Sequence, residues 1–411
     1  MSIIPPTIHT SETPVPGAGE TPEAGHFQTG RVITIGAAHV LHDTYTAFLP
    51  PLLPMFIANL ALSNTQAGLL SVFMQMPSLL QPFIGHLADR INLRSVVILG
   101  PAITALTMSL LGIAPTYAVL ALLLTLAGLS SASFHSVAPV VAGKLSGRRL
   151  GRGMGFWMVG GELGRTLGPL VIVTTVGLAG LAGMPWLILG GLIGSLLLYV
   201  LLKDVTKLSQ SVRPPIPWRH VAKGAKPLLP PLITLVLVRS FMGVALGTYL
   251  PLFLIKEGAD LWFAGIALSV YEAAGVVGAL TGGSLSDRLG RRTVILISLS
   301  LTPLLLCAFV LNGGWVRFPL LLALGFIGLS ISPVGMALVQ ESFPENRALA
   351  HGVYSGLGFT LRAGAVVVLG TIADMSSLRL AFLISAAIPL LGIPLILRLP
   401  NNPPTQQPGP G

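Results

Sequence analysis

Twelve long apolar runs, separated by short polar segments, constrain this chain more than any other feature of its sequence. A helix of about 20 apolar residues crosses the hydrocarbon part of a bilayer, and it pairs its backbone polar groups within itself. We therefore predict an all-α polytopic membrane protein with twelve transmembrane helices. Spans one to twelve are expected at approximately 31–55, 64–86, 95–113, 116–141, 151–178, 184–202, 229–255, 261–284, 293–311, 316–340, 347–372 and 377–397.

The composition excludes the common soluble classes. Of 411 residues, 53% are hydrophobic and 9% are charged, whereas soluble proteins carry roughly 25% charged residues. The net charge of +10 does not indicate nucleic-acid binding, because the basic residues are spread over loops between the apolar runs. The single cysteine, Cys307, lies inside an apolar run and excludes an intramolecular disulfide.

Composition also divides the chain into regions. Residues 1–29 are rich in Pro, Thr, Gly and Glu and have no basic stretch leading into an apolar one. We predict a disordered cytoplasmic tail there, not a signal peptide. A charged, proline-bearing connector at 203–227 separates an N-terminal six-helix bundle, 30–202, from a C-terminal one, 228–399. Residues 400–411 are polar and predicted to be disordered.

The distribution of positive charge predicts the orientation. Most of the 24 Lys and Arg residues fall on the side of the membrane that carries both termini, and the opposite side has only Lys256, Arg317 and Arg379. Because loops rich in Lys and Arg stay in the cytoplasm, we predict a multi-pass protein with both termini cytoplasmic.

One polar loop occurs twice. The stretch GSLSDRLGRR at 283–292 lies between spans eight and nine, and GHLADRINLR at 85–94 lies between spans two and three. Corresponding loops in two six-helix halves predict two pseudo-symmetric bundles built as a parallel repeat. Their aspartates can cap helices and their arginines can pair with acids or lipid headgroups. The candidate gating residues are Gly85, Asp89, Arg90, Arg94, Gly283, Asp287, Arg288 and Arg292.

Ionisable residues inside the spans are the candidates for function, because each costs several kcal/mol in a bilayer unless it is paired or faces water. The second half repeats the first here as well, since Arg362 stands where Arg165 stands in the first half. The set is His39, His42 and Asp43 (span one), His135 (four), Glu162 and Arg165 (five), Arg239 (seven), Glu272 (eight) and Arg362 (eleven).

Proton coupling is expected at carboxylates of this set. His39 and Asp43 are four residues apart, so they share a helix face and could exchange a proton. The alternative is that Asp43 pairs with an arginine of another span and holds the half-bundle together. Glu162 and Arg165 could likewise form either a pair that stabilises the span or part of a functional site. The predicted proton-coupling residues are Asp43, His39, Glu162 and Glu272; His42 is expected to pack elsewhere.

Substrate contact is expected at buried arginines. Arg239 has no acid nearby in its own span, so it must find an acid elsewhere or an anionic ligand. Glu272, beside Tyr271, is either a second proton site or the partner of Arg239. His135 either lines the cavity or packs in a helix rich in small residues. The predicted substrate-binding residues are Arg239, Arg165, Arg362, His135, Tyr249 and Tyr271.

The two loops resemble the signature loop of the major facilitator superfamily, which joins the second and third helices of each six-helix half. The first copy departs from that pattern at Asn92, where glycine is usual, and the second has Gly290 and fits fully. The resemblance implies two bundles that rock about a central cavity, with the loops latching one side of it. It also implies a monomer in membrane lipid that needs no cofactor or metal.

In span five, Gly164, Gly168 and Pro169 resemble the antiporter motif of proton-driven drug exchangers. Small residues four apart permit close helix contact, and proline bends a helix. Ile172 and Val173 stand where that motif ends in glycines, so the motif leaves the direction of transport open.

Further stretches resemble the fosmidomycin-resistance family within this superfamily. They are HVLHD at 39–43, LQP at 80–82, SSASFH at 130–135, VGGELGRTLGP at 159–169, QESFP at 340–344, GTIAD at 370–374 and PLLG at 389–392. The resemblance implies proton-driven export of drug-like or anionic molecules across a bacterial inner membrane. This sequence departs from the family at His42, Ser136, Glu162 and Glu272, near the expected cavity.

We therefore expect a proton-coupled secondary transporter of a small molecule, not an enzyme. A proton-coupled or facilitated importer of an organic anion is the alternative. A membrane enzyme or a non-transporting sensor is remote, since we expect no nucleophile or metal ligands around His39 and Asp43, and the connector is short. No G-x-x-x-x-G-K-[ST] loop occurs, so ATP-driven pumping is unsupported.

Overall fold

The structure, a computed structural model, describes residues 26–81, 83–84, 93–147, 149–203, 229–342 and 347–399. Within these ranges the chain is almost entirely helical, as predicted. Three predicted features lie outside the described residues: the parts of both tails beyond these ranges, most of the connector, and the candidate gating residues Gly85, Asp89 and Arg90. We call the end of the bundle where span one begins and span twelve finishes the terminal end, and the opposite end the distal end.

The N-terminal half contains spans one to six. Span one breaks after Thr46, because Pro50 and Pro51 have no backbone N–H to continue the preceding helix and instead start a new one. The helices are Thr29–Thr46 and Leu49–Leu60 (one), Asn64–Gln75 with the 3-10 turn Met76–Leu80 (two), Leu93–Ser109 with Leu110–Ile113 (three), Tyr117–Leu145 (four), Leu150–Ala179 (five), and Leu181–Leu187 with Ile188–Leu201 (six).

The C-terminal half repeats this plan. Span seven also breaks ahead of a proline, Pro251, at the position that corresponds to the break in span one. The helices are Leu229–Gly247 and Leu250–Lys256 (seven), Leu261–Leu289 (eight), Arg291–Leu311 (nine), Gly314–Val316 with Arg317–Ser342 (ten), Arg347–Met375 (eleven) and Leu378–Ile396 (twelve).

Nine helices of the described chain are long and apolar enough to cross a membrane, and they belong to spans three, four and six to twelve. Spans one, two and five complete the twelve. Spans one and two are each broken into shorter pieces, and span five carries Arg152, Glu162 and Arg165. Spans four, seven, eight and eleven, which carry His135, Arg239, Glu272 and Arg362, are among the nine, so single ionisable residues do not prevent a helix from being apolar enough to span.

Side-chain caps begin four of the spans at the distal end. Ser63 and Gln66 form a capping box at span two, and Thr116, Asp260 and Ser377 cap spans four, eight and twelve. Each cap accepts a hydrogen bond from a backbone N–H of the first turn, which has no partner within its helix. These four spans therefore start at defined positions.

Each half has its own buried apolar clusters. In the N-terminal half they centre on Phe48 and Phe134, and in the C-terminal half on Phe253 and Leu235. Lipid tails are as apolar as these side chains, so close packing and polar contacts, more than the hydrophobic effect, hold such helices together. Polar contacts between the halves therefore matter for the position of one bundle against the other.

Hydrogen bonds join the two halves at the distal end. The carboxylate of Asp374 in span eleven accepts from the backbone N and Nδ2 of Asn64 at 2.6 and 2.7 Å, and from the backbone N and hydroxyl of Thr65 at 3.0 and 2.6 Å. Lys256 Nζ donates to Asn64 Oδ1 at 2.9 Å, and the Tyr249 hydroxyl donates to the Asn64 carbonyl at 3.1 Å. We call these five residues the distal closure.

At the terminal end, the last arginine of each repeated loop binds within its own half. Arg292 Nη1 donates to the carbonyl oxygens of Leu397 and Leu399 at 3.2 and 3.3 Å. Arg94 Nη2 donates to the carbonyl oxygen of Tyr199 at 2.8 Å. The two halves therefore also repeat this contact, since each arginine donates to backbone carbonyl oxygens near the end of the last span of its own half.

The rest of the second loop is partly solvent-exposed. Asp287 and Arg288 are exposed near the end of span eight, and Asp287 Oδ1 lies 2.6 Å from Arg291 Nη2. The Gly283 carbonyl is 3.5 Å from Arg291 Nη1. Their predicted gating role stays a prediction, because these contacts lie within one half.

Candidate functional site

Two adjoining cavities lie between the halves. The terminal cavity, of about 600 Å³, includes Met158, Glu162, Arg239, Tyr354 and Arg362 in its wall. The central cavity, of about 490 Å³, includes Asp43, His135, Arg165, Tyr271 and Glu272. They share wall residues from both halves: Gln75, Glu162, Ala279, Ser332, Phe359 and Arg362. Cavities of this size accommodate small molecules.

A trio of His39, Asp43 and His135 lies at the wall of the central cavity, with His39 and Asp43 buried and His135 partly exposed. His39 Nε2 lies 3.1 Å from His135 Nε2 and 3.3 Å from Asp43 Oδ2, and His135 Nε2 lies 3.5 Å from Asp43 Oδ1. The contact between His39 and Asp43 agrees with their shared helix face. The His135 side chain is 31% exposed, so this histidine both packs against span one and lines the cavity.

Backbone carbonyl groups fix the two histidine rings. His39 Nδ1 lies 2.8 Å from the carbonyl oxygen of Trp157, whose ring stacks on the imidazole at 3.6 Å between centroids. His135 Nδ1 lies 3.0 Å from the carbonyl oxygen of Ser131. A carbonyl oxygen only accepts, so both Nδ1 atoms must donate and both Nε2 atoms point at the trio. Nothing in the sequence marked Trp157, because its hydrogen bond uses a main-chain atom and the stacking of its ring depends on how the two helices pack.

Arg165 contacts three carboxylates at once. It pairs with Glu162 of its own span, its Nη1 lies 3.4 Å from Asp43 Oδ2, and its Nε lies 3.7 Å from Glu272 Oε2. The predicted pair of Glu162 and Arg165 is present. The alternative that makes Glu272 the partner of Arg239 is wrong, since Glu272 lies against Arg165. Glu272 belongs to the other half, so Arg165 also links the halves at the cavity.

Two glycines allow span five to lie this close to span one. A Cβ atom at Gly164 would lie 2.7 Å from the Cβ of Asp43, and one at Gly168 would lie 2.4 Å from the carbonyl oxygen of Thr44. Any side chain at either position would push the helices apart. The antiporter-like motif therefore acts first as a packing surface that brings Arg165 to Asp43, while Pro169 lines the central cavity.

Arg239 and Arg362 present positive charge to the cavities. Arg239 Nη1 donates to the Tyr354 hydroxyl at 2.9 Å and its Nη2 to the Ser332 hydroxyl at 2.7 Å. The buried Nε of Arg362 has no hydrogen-bond partner among the residues that the structure describes. No described carboxylate lies within ion-pair distance of either guanidinium. Tyr354 and Ser332 were not predicted, because neutral hydroxyls do not stand out in an apolar span.

Of the remaining candidate residues, one lines a cavity and two are packed inside the protein. Tyr271 lies in the wall of the central cavity, beside Glu272. Tyr249 lines neither cavity: it is buried and belongs to the distal closure, so its role in substrate binding stays a prediction without a cavity contact in this structure. His42 packs, as expected, with its ring stacked on Phe134 at 4.4 Å.

The trio also has the composition of a metal site. One ligand atom from each of His39, Asp43 and His135 lies within 4.8 Å of the others. In the sequence no metal ligands are expected around His39 and Asp43, because His135 of span four reaches span one only through the packing of the helices.

Comparison with known proteins agrees with this architecture. The family model for the Major Facilitator Superfamily matches residues 35–271 and 258–411. The fosmidomycin resistance protein of Escherichia coli (strain K12) is 27% identical over 405 residues, which cover 95% of this chain and 98% of that protein. The uncharacterized MFS-type transporter YfnC of Bacillus subtilis (strain 168) is 26% identical over 382 residues, or 90% and 93% of the two chains.

Solved structures share the fold. A bacterial homolog of the human lysosomal transporter Spinster, in an inward-facing and occupied conformation, gives a TM-score of 0.75 at 14% identity over 90% of this chain and 96% of that one. A D-xylose–proton symporter gives 0.72 at 15% identity over 91% and 98%. At such identities the likeness shows the fold alone. The family model matches most of the sequence, and a relative similar along almost its whole length is the fosmidomycin resistance protein. This chain therefore belongs to the major facilitator superfamily: it is a multi-pass membrane transporter with twelve helices in two bundles.

Proposed function

We propose that this protein is a proton-coupled antiporter that exports an anionic or drug-like small molecule across a bacterial inner membrane by alternating access. It works as a monomer in membrane lipid, with both termini in the cytoplasm. The observation that carries the proposal is the convergence of Asp43, Glu162 and Glu272 on Arg165 at the boundary between the halves. Three carboxylates around one guanidinium leave negative charge that a proton can neutralise.

The coupling follows from which half supplies each group. Asp43, Glu162 and Arg165 come from the N-terminal half, and Glu272 comes from the C-terminal half. Protonation of Glu272 removes its attraction to Arg165 and loosens a contact between the halves. Protonation of Asp43 instead leaves more of the Arg165 charge for Glu272 and strengthens that contact. The position of a proton in this group therefore biases the two bundles between their arrangements.

The substrate class follows from the cavity wall. Arg239 and Arg362 offer positive charge that no described carboxylate neutralises by an ion pair, which favours an anionic group on the ligand. Met158, Met336 and Phe359 line the terminal cavity and favour an apolar body. The curated relative is named for resistance to fosmidomycin, which supports outward transport of a drug-like compound.

The closed end of the bundle is compatible with the proposed direction. The distal closure joins the halves on one side, while the terminal cavity lies toward the side of the termini. With cytoplasmic termini, as the excess of Lys and Arg on that side favours, this is the arrangement in which an exporter would load its substrate and an importer would release it. The repeated loops would latch the terminal end in the opposite state.

The test is proton movement driven by substrate in liposomes that contain the purified protein. Fosmidomycin-like phosphonates, other organic anions and cationic drugs are added in turn, and Asp43→Asn and Glu272→Gln are compared with the wild type. Asp260→Asn is the matched control, because Asp260 is an exposed helix cap and asparagine also caps helices.

We expect proton flux opposite to substrate flux, lost in Asp43→Asn and Glu272→Gln while substrate binding persists, and kept in Asp260→Asn. Flux in the same direction as substrate would favour the importer of an organic anion. A substrate flux that changes neither with the proton gradient nor with the two substitutions would overturn the coupling mechanism.

A further inference from the structure

We propose that His39, Asp43 and His135 form a binding site for one divalent transition-metal ion of the zinc class. Imidazole nitrogens and carboxylate oxygens are the donors that zinc and its neighbours in the first transition row accept. The site goes beyond the proposed function and does not depend on the direction of transport or on its coupling to protons.

The hydrogen bonding of the histidines is the first argument. Both Nδ1 atoms face backbone carbonyl oxygens, of Trp157 and Ser131, so both must carry the hydrogen. In the neutral rings both Nε2 atoms are then bare acceptors. They face each other at 3.1 Å and face the carboxylate of Asp43 at 3.3 and 3.5 Å. Three acceptors that meet without a donor repel each other unless a cation, either a proton on one Nε2 or a metal ion, lies among them.

The separations between the ligand atoms are the second argument. Zinc binds nitrogen and oxygen at about 2.0–2.1 Å in a tetrahedral arrangement, which places neighbouring ligand atoms about 3.3 Å apart. In the trio the two Nε2 atoms lie 3.1 Å apart, and each lies near a different oxygen of Asp43: His39 Nε2 is 3.3 Å from Oδ2 and His135 Nε2 is 3.5 Å from Oδ1. One ligand atom from each residue lies within 4.8 Å of the others, so small side-chain shifts suffice to enclose an ion. Metal-bound histidines usually donate their other ring N–H to a carbonyl or carboxylate, and His39 and His135 both have such a carbonyl group in place.

An unpartnered buried atom is the third argument. Asp43 Oδ1 is buried and accepts no hydrogen bond from the part of the chain that the structure describes. Leaving a buried carboxylate oxygen without a partner is costly. Arg165 approaches the other oxygen, Oδ2, at 3.4 Å, so Oδ1 stays available beside His135 Nε2.

The local charge also suits a divalent ion. Arg165 would repel such an ion, but it is surrounded by Glu162 and Glu272 as well as Asp43. These four groups together carry two more negative than positive charges when ionised. Asp43 and His135 line the central cavity, so an ion can enter from there and keep a fourth position for water.

The experiment measures cobalt binding to the purified full-length protein with any affinity tag removed. Cobalt(II) replaces zinc in such sites, and its visible absorption reports four-coordinate geometry. Wild type is compared with His135→Ala, which deletes one ligand, and with His42→Ala. His42 is the matched control, because it is also buried in span one and packs against Phe134 and the edge of the His135 ring, but it is not one of the three residues whose ligand atoms converge.

We expect about one cobalt per wild-type chain, with four-coordinate bands that zinc displaces, and at least about tenfold weaker binding in His135→Ala but not in His42→Ala. Equal binding by wild type and His135→Ala, or no binding by wild type, would overturn the proposal. If His135→Ala does not fold, X-ray absorption of zinc-loaded wild type decides, because it counts imidazole ligands: two support the site and fewer refute it. None of these readouts uses transport, so failure here leaves the antiporter proposal to its own test.

Discussion

The carboxylate of Asp374 holds Asn64 from across the boundary between the halves, accepting from its backbone N at 2.6 Å and from its Nδ2 at 2.7 Å. Asn64 starts span two, so the carboxylate also lies at the positive end of a helix dipole. Lys256 and Tyr249 bind the oxygens of the same asparagine. Asn64 of the N-terminal half thus contacts both span seven and span eleven of the C-terminal half, so moving this one residue away would break contacts with both spans.

Replacing Asp374 by asparagine should open the distal end. The substitution removes the charge from four hydrogen bonds and leaves one side-chain oxygen to accept them. Hydrogen bonds to a charged group contribute about 1.5–3 kcal/mol each, so the fraction of open molecules should rise at least about tenfold. Spin labels at positions Ala61 and Ser376, in a Cys307→Ser background, would report the change as a longer distance distribution.

Asp260→Asn is the control for that experiment, because it removes a carboxylate at the same end without touching the closure. Its distance distribution should match the unsubstituted background. Identical distributions in Asp374→Asn and in that background would show that the closure does not depend on this carboxylate.

A methyl group at Gly168 should destabilise the N-terminal half. The new Cβ would lie 2.4 Å from the Thr44 carbonyl oxygen, and overpacking of this kind costs about 1–3 kcal/mol. Gly177→Ala is the matched control in the same helix, since nothing lies within 4 Å of a Cβ there. We expect a lower Tm for Gly168→Ala in detergent and an unchanged or higher one for Gly177→Ala. Equal Tm values would mean that the spans separate without cost.

Arg165→Lys should impair transport although it keeps the charge. Arginine offers a planar fork of five donors, which lets Arg165 reach Glu162, Asp43 and Glu272 together, whereas lysine offers a point charge. We expect at least about a tenfold loss of substrate flux in liposomes. Arg398→Lys, at an exposed position after span twelve, should transport normally. Normal flux in Arg165→Lys would show that charge alone suffices.

A pH-dependent contribution to stability is expected outside the membrane at Glu257. Burial raises the pKa of Glu257, but hydrogen bonds from Arg379 at 2.5 Å and Arg317 at 3.2 Å outweigh it and hold this pKa below the ordinary value of 4.5. A carboxylate with a lowered folded-state pKa stabilises the fold above the unfolded-state pKa, and this stabilisation is lost as pH falls through the folded-state pKa.

Glu257→Gln should therefore lower the Tm at about pH 7, and the gap from wild type should narrow as pH falls below about 4. Thermal unfolding of both proteins across this range, with buffer ionic strength held constant, measures the gap. A gap that stays the same at every pH would show that the carboxylate charge of Glu257 does not contribute.

Local properties of the fold can be predicted from the sequence. The cost of a charge in lipid singled out Asp43, Arg165 and Glu272, and all three lie in the wall of the central cavity. The partner of a polar group cannot be predicted from the sequence. Arg239 binds two hydroxyl groups instead of Glu272, and Tyr249 closes the distal end instead of contacting a cavity.

The sequence by itself determined the twelve helices, the two repeated halves and the ionisable residues that the spans must accommodate. The length of each apolar run, the repeated motif and the position of each charge are all properties of the linear sequence. Only the tertiary structure decided which of those residues meet. Whether His135 reaches His39, or Glu272 reaches Arg165, depends on how each helix is rotated and how closely it approaches its neighbour. Small residues such as Gly164 and Gly168 set that approach through packing, which no single span specifies alone.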